Sequence, residues 1–222
     1  MRSITTASNR RGFLKTTAAL ASGIAGLSLL PTPGFSAPMT GDNDMNIIGP
    51  KEGYSPQIGT LVSMMGWMRT VMLSSVTGMS QADLDFLLDD KANTIGAMLY
   101  RLAATDTFYH LHTFQGIAWG KWDDSYSKKW GVAMALGEPA RKTIKGNTLQ
   151  FYLDLLHESR EKTLAEFKKR DDKWLMTVDT AWPWGPTNNY CKWFHVCEHE
   201  SNHNGQIKFL KSRLPGAKTD KE

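Results

Sequence analysis

Cysteine is scarce: Cys191 and Cys197 are the only two in 222 residues. Six positions apart on one expected helix, they lie about 9 Å apart along its axis and on different faces, which excludes a disulfide within it. Both read as small buried residues, and a disulfide-stapled fold is excluded. Long apolar runs are missing as well. The longest, Thr16 to Leu30, falls short of the ~20 residues that span a bilayer. No Walker motif, Rossmann glycine pattern, nucleophile elbow or internal repeat occurs. An excess of one charge is also lacking. Of 26 basic residues, four (Arg2, Arg10, Arg11, Lys15) fall in residues 1–37, which hold no acidic one, so basic and acidic residues balance in the remainder. That balance argues against a nucleic-acid partner.

What is present begins at the N-terminus. Ser8-Asn9-Arg10-Arg11-Gly12-Phe13-Leu14-Lys15 matches the twin-arginine export pattern, and the modest apolar run follows it. Residues 1–37 therefore read as a signal peptide, cleaved after Ser36 or Ala37, and the twin-arginine translocase as its partner during export. The expected location is periplasmic. Residues 38–222, about 185 in number, suffice for one well-buried domain.

Helical spacing dominates that domain. Ser55-Pro56 opens a first helix whose inward stripe is Ile58, Leu61, Val62, Met65, Met68 and Met72. Ser80 starts a short helix running to about Leu88. A second long helix, from Thr94 to about Phe114, turns Ile95, Met98, Leu99, Leu102, Thr105, Phe108, Tyr109 and His112 inward. Residues 115–147 form an excursion rich in tryptophan, expected to cap one end. A third long helix from Asn147 or Thr148 to about Arg170 shows Leu149, Leu153, Leu156, Arg160, Leu164 and Phe167 on one face. Trp182-Pro183-Trp184-Gly185-Pro186 marks a turn-rich crossover, its tryptophans expected to pack at the bundle's entrance. Thr187 or Asn188 caps the last helix, which Leu214-Pro215-Gly216 ends. Four long amphipathic helices without a strand pattern give an all-α four-helix bundle with a crossover excursion.

On the last helix His195, His199 and His203 recur every four residues, with Gln206 and Leu210 continuing the stripe. Imidazoles on a bundle-facing stripe need partners, and a divalent metal is a common one. His195 and His203 lie about 12 Å apart along the axis and cannot share an ion, so only an adjacent pair can. Spacing alone leaves 195/199 and 199/203 both open.

The stretch Cys197-Glu198-His199-Glu200-Ser201-Asn202-His203-Asn204-Gly205-Gln206-Ile207 resembles the ligand helix of the DinB-like (YfiT-like) metalloenzymes, where a His-x-x-x-His pair runs into x-Gly-Gln-Ile. Residues 58–80 and 92–106 are similar to the first two helices of that family. The resemblance implies the DinB-like up/down bundle, with His199 and His203 as metal ligands and His195 at the rim. It implies a divalent ion, zinc or nickel before others. The family's third ligand comes from the second helix, where this chain reads Tyr100-Arg101-Leu102; arginine has no lone pair to donate. His112, Asp106 and His110 are poor substitutes by position. The implied function is a metal-dependent hydrolase or thiol-dependent transferase acting on a small molecule, with room for a homodimer. The alternative is a metal-free bundle that binds a small anionic ligand beside Arg101.

Overall fold

The computed structural model describes residues 45–217, all within the unit Gly41–Glu222; the expected leader and its cleavage site lie outside them. Four long helices carry the structure: α1 (Pro56–Val76), α3 (Ile95–Gln115), α6 (Leu149–Phe167) and α8 (Asn189–Lys211). Shorter pieces connect them: α2 (Gln81–Leu84), α4 (Asp124–Ala135), α5 (Gly137–Thr143), α7 (Asp172–Leu175) and the strands β1 (Val178–Asp179) and β2 (Thr187–Asn188). Helix α3 packs on both α6 and α8, and α1 packs on α8, so the all-α bundle stands. Among the described residues no helix is long and apolar enough to cross a membrane.

Local chemistry starts most helices where the sequence places them. Thr94, Thr148 and Asn188 each accept a backbone N–H from the first turn of α3, α6 and α8. Helix α1 is different. Ser55 holds the N-cap position without a side-chain cap, and Asp172 supplies it from the start of α7. Its carboxylate accepts from Ser55 Oγ at 2.6 Å, Gln57 N at 3.0 Å and Ile58 N at 3.2 Å. A negative group at a helix N-terminus also meets the positive end of the dipole.

The inward stripe of α1 is buried as its spacing requires, and so is that of α3 except for His112, which is half-buried at the hairpin. That of α6 is shifted: Tyr152, Leu155, Ser159 and Thr163 join Leu156, Arg160 and Phe167 inside, while Leu149, Leu153 and Leu164 are half-buried. Gly96 explains the fit at Tyr152, because a Cβ there would fall 2.6 Å from the phenol oxygen. The short second helix ends at Leu84, leaving Leu87 and Leu88 exposed. Cys191 is exposed rather than buried, and Cys197 is half-buried.

One charged network runs through the bundle core. Arg69 of α1, Asp106 of α3, Arg160 of α6 and Glu200 of α8 are each at most 11% exposed at the side chain. Arg160 donates from Nε to Asp106 Oδ2 at 3.0 Å and from Nη2 to Glu200 Oε2 at 2.9 Å. Arg69 reaches Asp106 Oδ2 at 3.3 Å and also pairs with Glu200. Their remaining donors reach backbone carbonyls across helices, Arg69 to Leu156 and Arg160 to Met65. Burial pushes the Glu200 carboxyl up, but the two guanidinium charges more than offset this and hold it below its ordinary value.

The excursion is helical and lies along α3 rather than over one end of the bundle as expected. Trp130 is buried, Trp122 packs 4.4 Å from Phe108, and Trp119 meets Tyr109 edge-on at 5.1 Å. Its bend is backbone-strained: Leu136 has φ +55°, held by its buried side chain and by the Gly137 N–H donated to Asn93 Oδ1. The crossover is a small antiparallel hairpin pairing Val178 with Asn188 and Asp179 with Thr187. Trp182 is buried at the bundle's entrance as expected, but Trp184 is 57% exposed. Asp179 Oδ2 latches the hairpin, lying 2.7 Å from Lys192 Nζ and 3.0 Å from His112 Nε2.

Two outcomes follow for stability. Glu200→Gln should cost about 3–5 kcal/mol in urea denaturation, because it leaves arginine charge buried without its partner. Replacing all four network residues together by apolar ones of similar volume should cost less than that single change; a neutral Glu200→Gln would show that the four do not act as a unit. The hydrogen bond from Lys192 holds the Asp179 carboxyl down to about 2. Its stabilisation is complete above the unfolded aspartate value of about 3.9 and is lost as pH falls towards 2. Melting temperature should therefore fall less steeply between pH 4 and 2 in Asp179→Asn than in the parent chain.

Candidate metal centre

Glu200 faces the core network and Asn204 accepts from Ser75 Oγ at 2.8 Å, so α8 turns that stripe towards α1 and α6. His199 and His203, one position earlier and so about 100° around the helix, face α3 instead. Their Nε2 atoms are 3.1 Å apart, with ring centroids at 4.5 Å. His195 stands one turn earlier, its ring 5.6 Å from that of His199 and 4.9 Å from that of Trp184, and its Nδ1 lies 3.2 Å from Glu198 Oε2.

The hydrogen bonds fix how these rings present themselves. Gln206 Nε2 donates to Asn202 Oδ1 at 3.0 Å, which turns Gln206 Oε1 towards His203 Nδ1 at 3.1 Å. Since that oxygen only accepts, His203 carries its proton on Nδ1 and leaves Nε2 as a lone pair. Arg101 Nε donates to His199 Nε2 at 3.3 Å, making that nitrogen a lone pair too. Two lone pairs then face each other, while His199 Nδ1 is buried without a partner. Burial holds His199 down to about 3 and His203 down to about 4, helped by the neighbouring imidazole and Arg101 at His199 and by Arg101 at His203. Both are neutral near pH 7, the form a metal requires.

Such a pair fits one edge of a metal site. Metal–nitrogen distances near 2.0–2.1 Å and tetrahedral angles put two ligand nitrogens about 3.3–3.4 Å apart, slightly more than the 3.1 Å found here. The third face does not match. Arg101 occupies the second-helix position, its guanidinium against His199 and donating also to the Met134 carbonyl at the end of α4. At an effective dielectric of 20, a divalent ion about 4 Å from that charge meets a repulsion of about 8 kcal/mol. An ion at the donor pair would require Arg101 to let go of His199.

Other candidates lie elsewhere. Asp106 belongs to the core network and His112 to the hairpin latch. His110 packs against Phe114, with its Nδ1 unpartnered. Among the described residues no three His, Cys, Asp or Glu side chains gather as a metal-binding group. Burial, with Glu200 nearby, pushes the Cys197 thiol up to about 11, so it is no ready nucleophile. A Cβ at Gly205 would meet nothing within 4 Å. That glycine does not admit a neighbouring helix; with Asn202, Gln206 and Phe209 it lines a cavity of about 660 Å³ that reaches Gln206. The sequence signal that could have exposed the core network was Glu200 and Asn204 continuing a stripe with Ile207, adjacent to the histidine stripe.

A family model described as mycothiol-S-transferase matches residues 60–216, from the first turn or so of α1 to just past α8. No curated protein matches the chain. Members of this family are metal-dependent in general. The match covers all four long helices and both histidines of the pair, and the chain belongs to the mycothiol-S-transferase family, one of the DinB-like (YfiT-like) families.

Proposed function

We propose that the chain is an exported, metal-dependent thiol transferase acting on a small molecule, with His199 and His203 as its metal ligands. The observation that carries this is the 3.1 Å separation of two neutral Nε2 atoms, one aimed by Gln206. A divalent ion held there, zinc or nickel, would supply the Lewis acidity that keeps a thiol deprotonated near neutral pH. The residues of the chain provide the rest. Gln206 sets the His203 tautomer, and the bundle holds both rings without cost at the moment of reaction. His195, at the rim and paired with Glu198, is positioned to exchange a proton with a ligand entering beside Trp184. The attacking thiol comes from outside, since Cys197 is held protonated by burial.

A second reading is favoured by one contact. The Arg101 Nε–H on His199 Nε2 makes a metal-free site for a small anion, with the guanidinium as its charge.

Calorimetric titration of zinc or nickel into three single variants separates these. Binding should be lost in His199→Ala and His203→Ala and remain near normal in His195→Ala. Loss at 195 and 199 with 203 untouched would move the site one turn towards Trp193, and no binding by the parent chain would favour the metal-free reading. Export rests on Arg10 and Arg11, and action in the periplasm follows from it. Replacing both by Lys should leave the precursor in the cytoplasm on fractionation; unchanged periplasmic protein would remove the twin-arginine pathway.

A further inference from the structure

Three arginines reach into the space between the helices, and they differ in one respect. Arg69 and Arg160 have their charges met by Asp106 and Glu200. Arg101, half-buried, has no carboxylate within ion-pair distance among the described residues. Its neighbours are neutral: the His199 imidazole and the Met134 carbonyl. Those contacts use two of the five donors of a guanidinium. Burial lowers the Arg101 pKa, but a guanidinium remains charged at any working pH. A partly desolvated cation with spare donors and no counter-ion is a seat for an anion, and a carboxylate matches its planar fork with two parallel hydrogen bonds.

The same side chain is the brake on the imidazole pair. Its Nε–H occupies the His199 lone pair that an ion would need, and its charge repels that ion. Resting on the metal-pair reading above, we propose that Arg101 receives the carboxylate of a carboxylate-bearing small-molecule substrate and in doing so releases His199 Nε2, so that anion and metal bind with positive cooperativity. An anion between Arg101 and the pair cancels the repulsion and draws the guanidinium from the imidazole. Each ligand then raises the affinity of the other by the same factor, as linkage requires. Arg101 thus selects anionic substrates and restrains metal loading without them.

Acetate, compared with chloride at equal ionic strength, is the probe. On the metal-free full chain labelled with ¹⁵N in histidine, acetate should shift the His199 ring nitrogens in the parent and leave them unmoved in Arg101→Met. Zinc titrated by calorimetry should bind the parent at least tenfold more tightly in acetate. Arg101→Met should bind zinc at least tenfold more tightly than the parent without acetate and no longer respond to it. Arg101→Lys, which keeps the charge, should stay as weak as the parent; a gain equal to that of Met would show that bulk matters rather than charge and would overturn the restraint. His199 nitrogens indifferent to acetate in the parent would overturn the anion seat. If no form binds zinc while the nitrogens still respond, the metal pair and the cooperativity fall and the anion seat stands.

Discussion

The bundle depends on the two carboxylates and two guanidiniums at its centre, one from each long helix. Apolar packing tolerates a helix sliding or rotating by a fraction of a turn. A buried charge does not, since losing its partner costs several kcal/mol. Glu200 has to face Arg69 and Arg160, and that requirement sets the rotation of α8. His199 and His203 flank Glu200 and so acquire their direction from the network. The aim of the imidazole pair towards α3 is therefore a consequence of core electrostatics as much as of histidine spacing.

Three arginines in one bundle illustrate how the same side chain takes different roles. Where a carboxylate is within reach, the guanidinium is a structural tie. Where none is, as at Arg101, the charge faces an imidazole and a carbonyl and is left to meet something from outside. The family to which the chain belongs is metal-dependent in general, and the two imidazole Nε2 atoms here lie 3.1 Å apart. Arg101, which has no lone pair to donate, stands against that pair.

The connections contribute more than closure. The hairpin between α7 and α8 is held by Lys192, Asp179 and His112, with Lys192 Nζ also 4.6 Å from the Trp182 ring. It places Trp184 beside His195. The excursion brings the Met134 carbonyl to Arg101 at the end of α4, two residues before the strained Leu136. Both connections therefore touch the histidine stripe or its neighbour on α3.

The sequence by itself determined the all-α bundle, the four long helices, their starts near Thr94, at Asn147 or Thr148 and at Thr187 or Asn188, and the inward stripes of α1 and, apart from His112, of α3. These follow from hydrophobic period and capping chemistry, which act over a few residues. It also determined that His199 and His203 stand one turn apart on one face. Only the tertiary structure decided that Asp106 and Glu200 are the partners of Arg160, that Asp172 caps α1 from 115 residues away at Gln57, and that Trp184 is exposed while Trp182 is not. The period places Arg160 on the apolar face of α6 but says nothing of what meets its charge there. Whether a charge can be buried depends on an opposite charge arriving from another helix, and no single stretch of chain contains both.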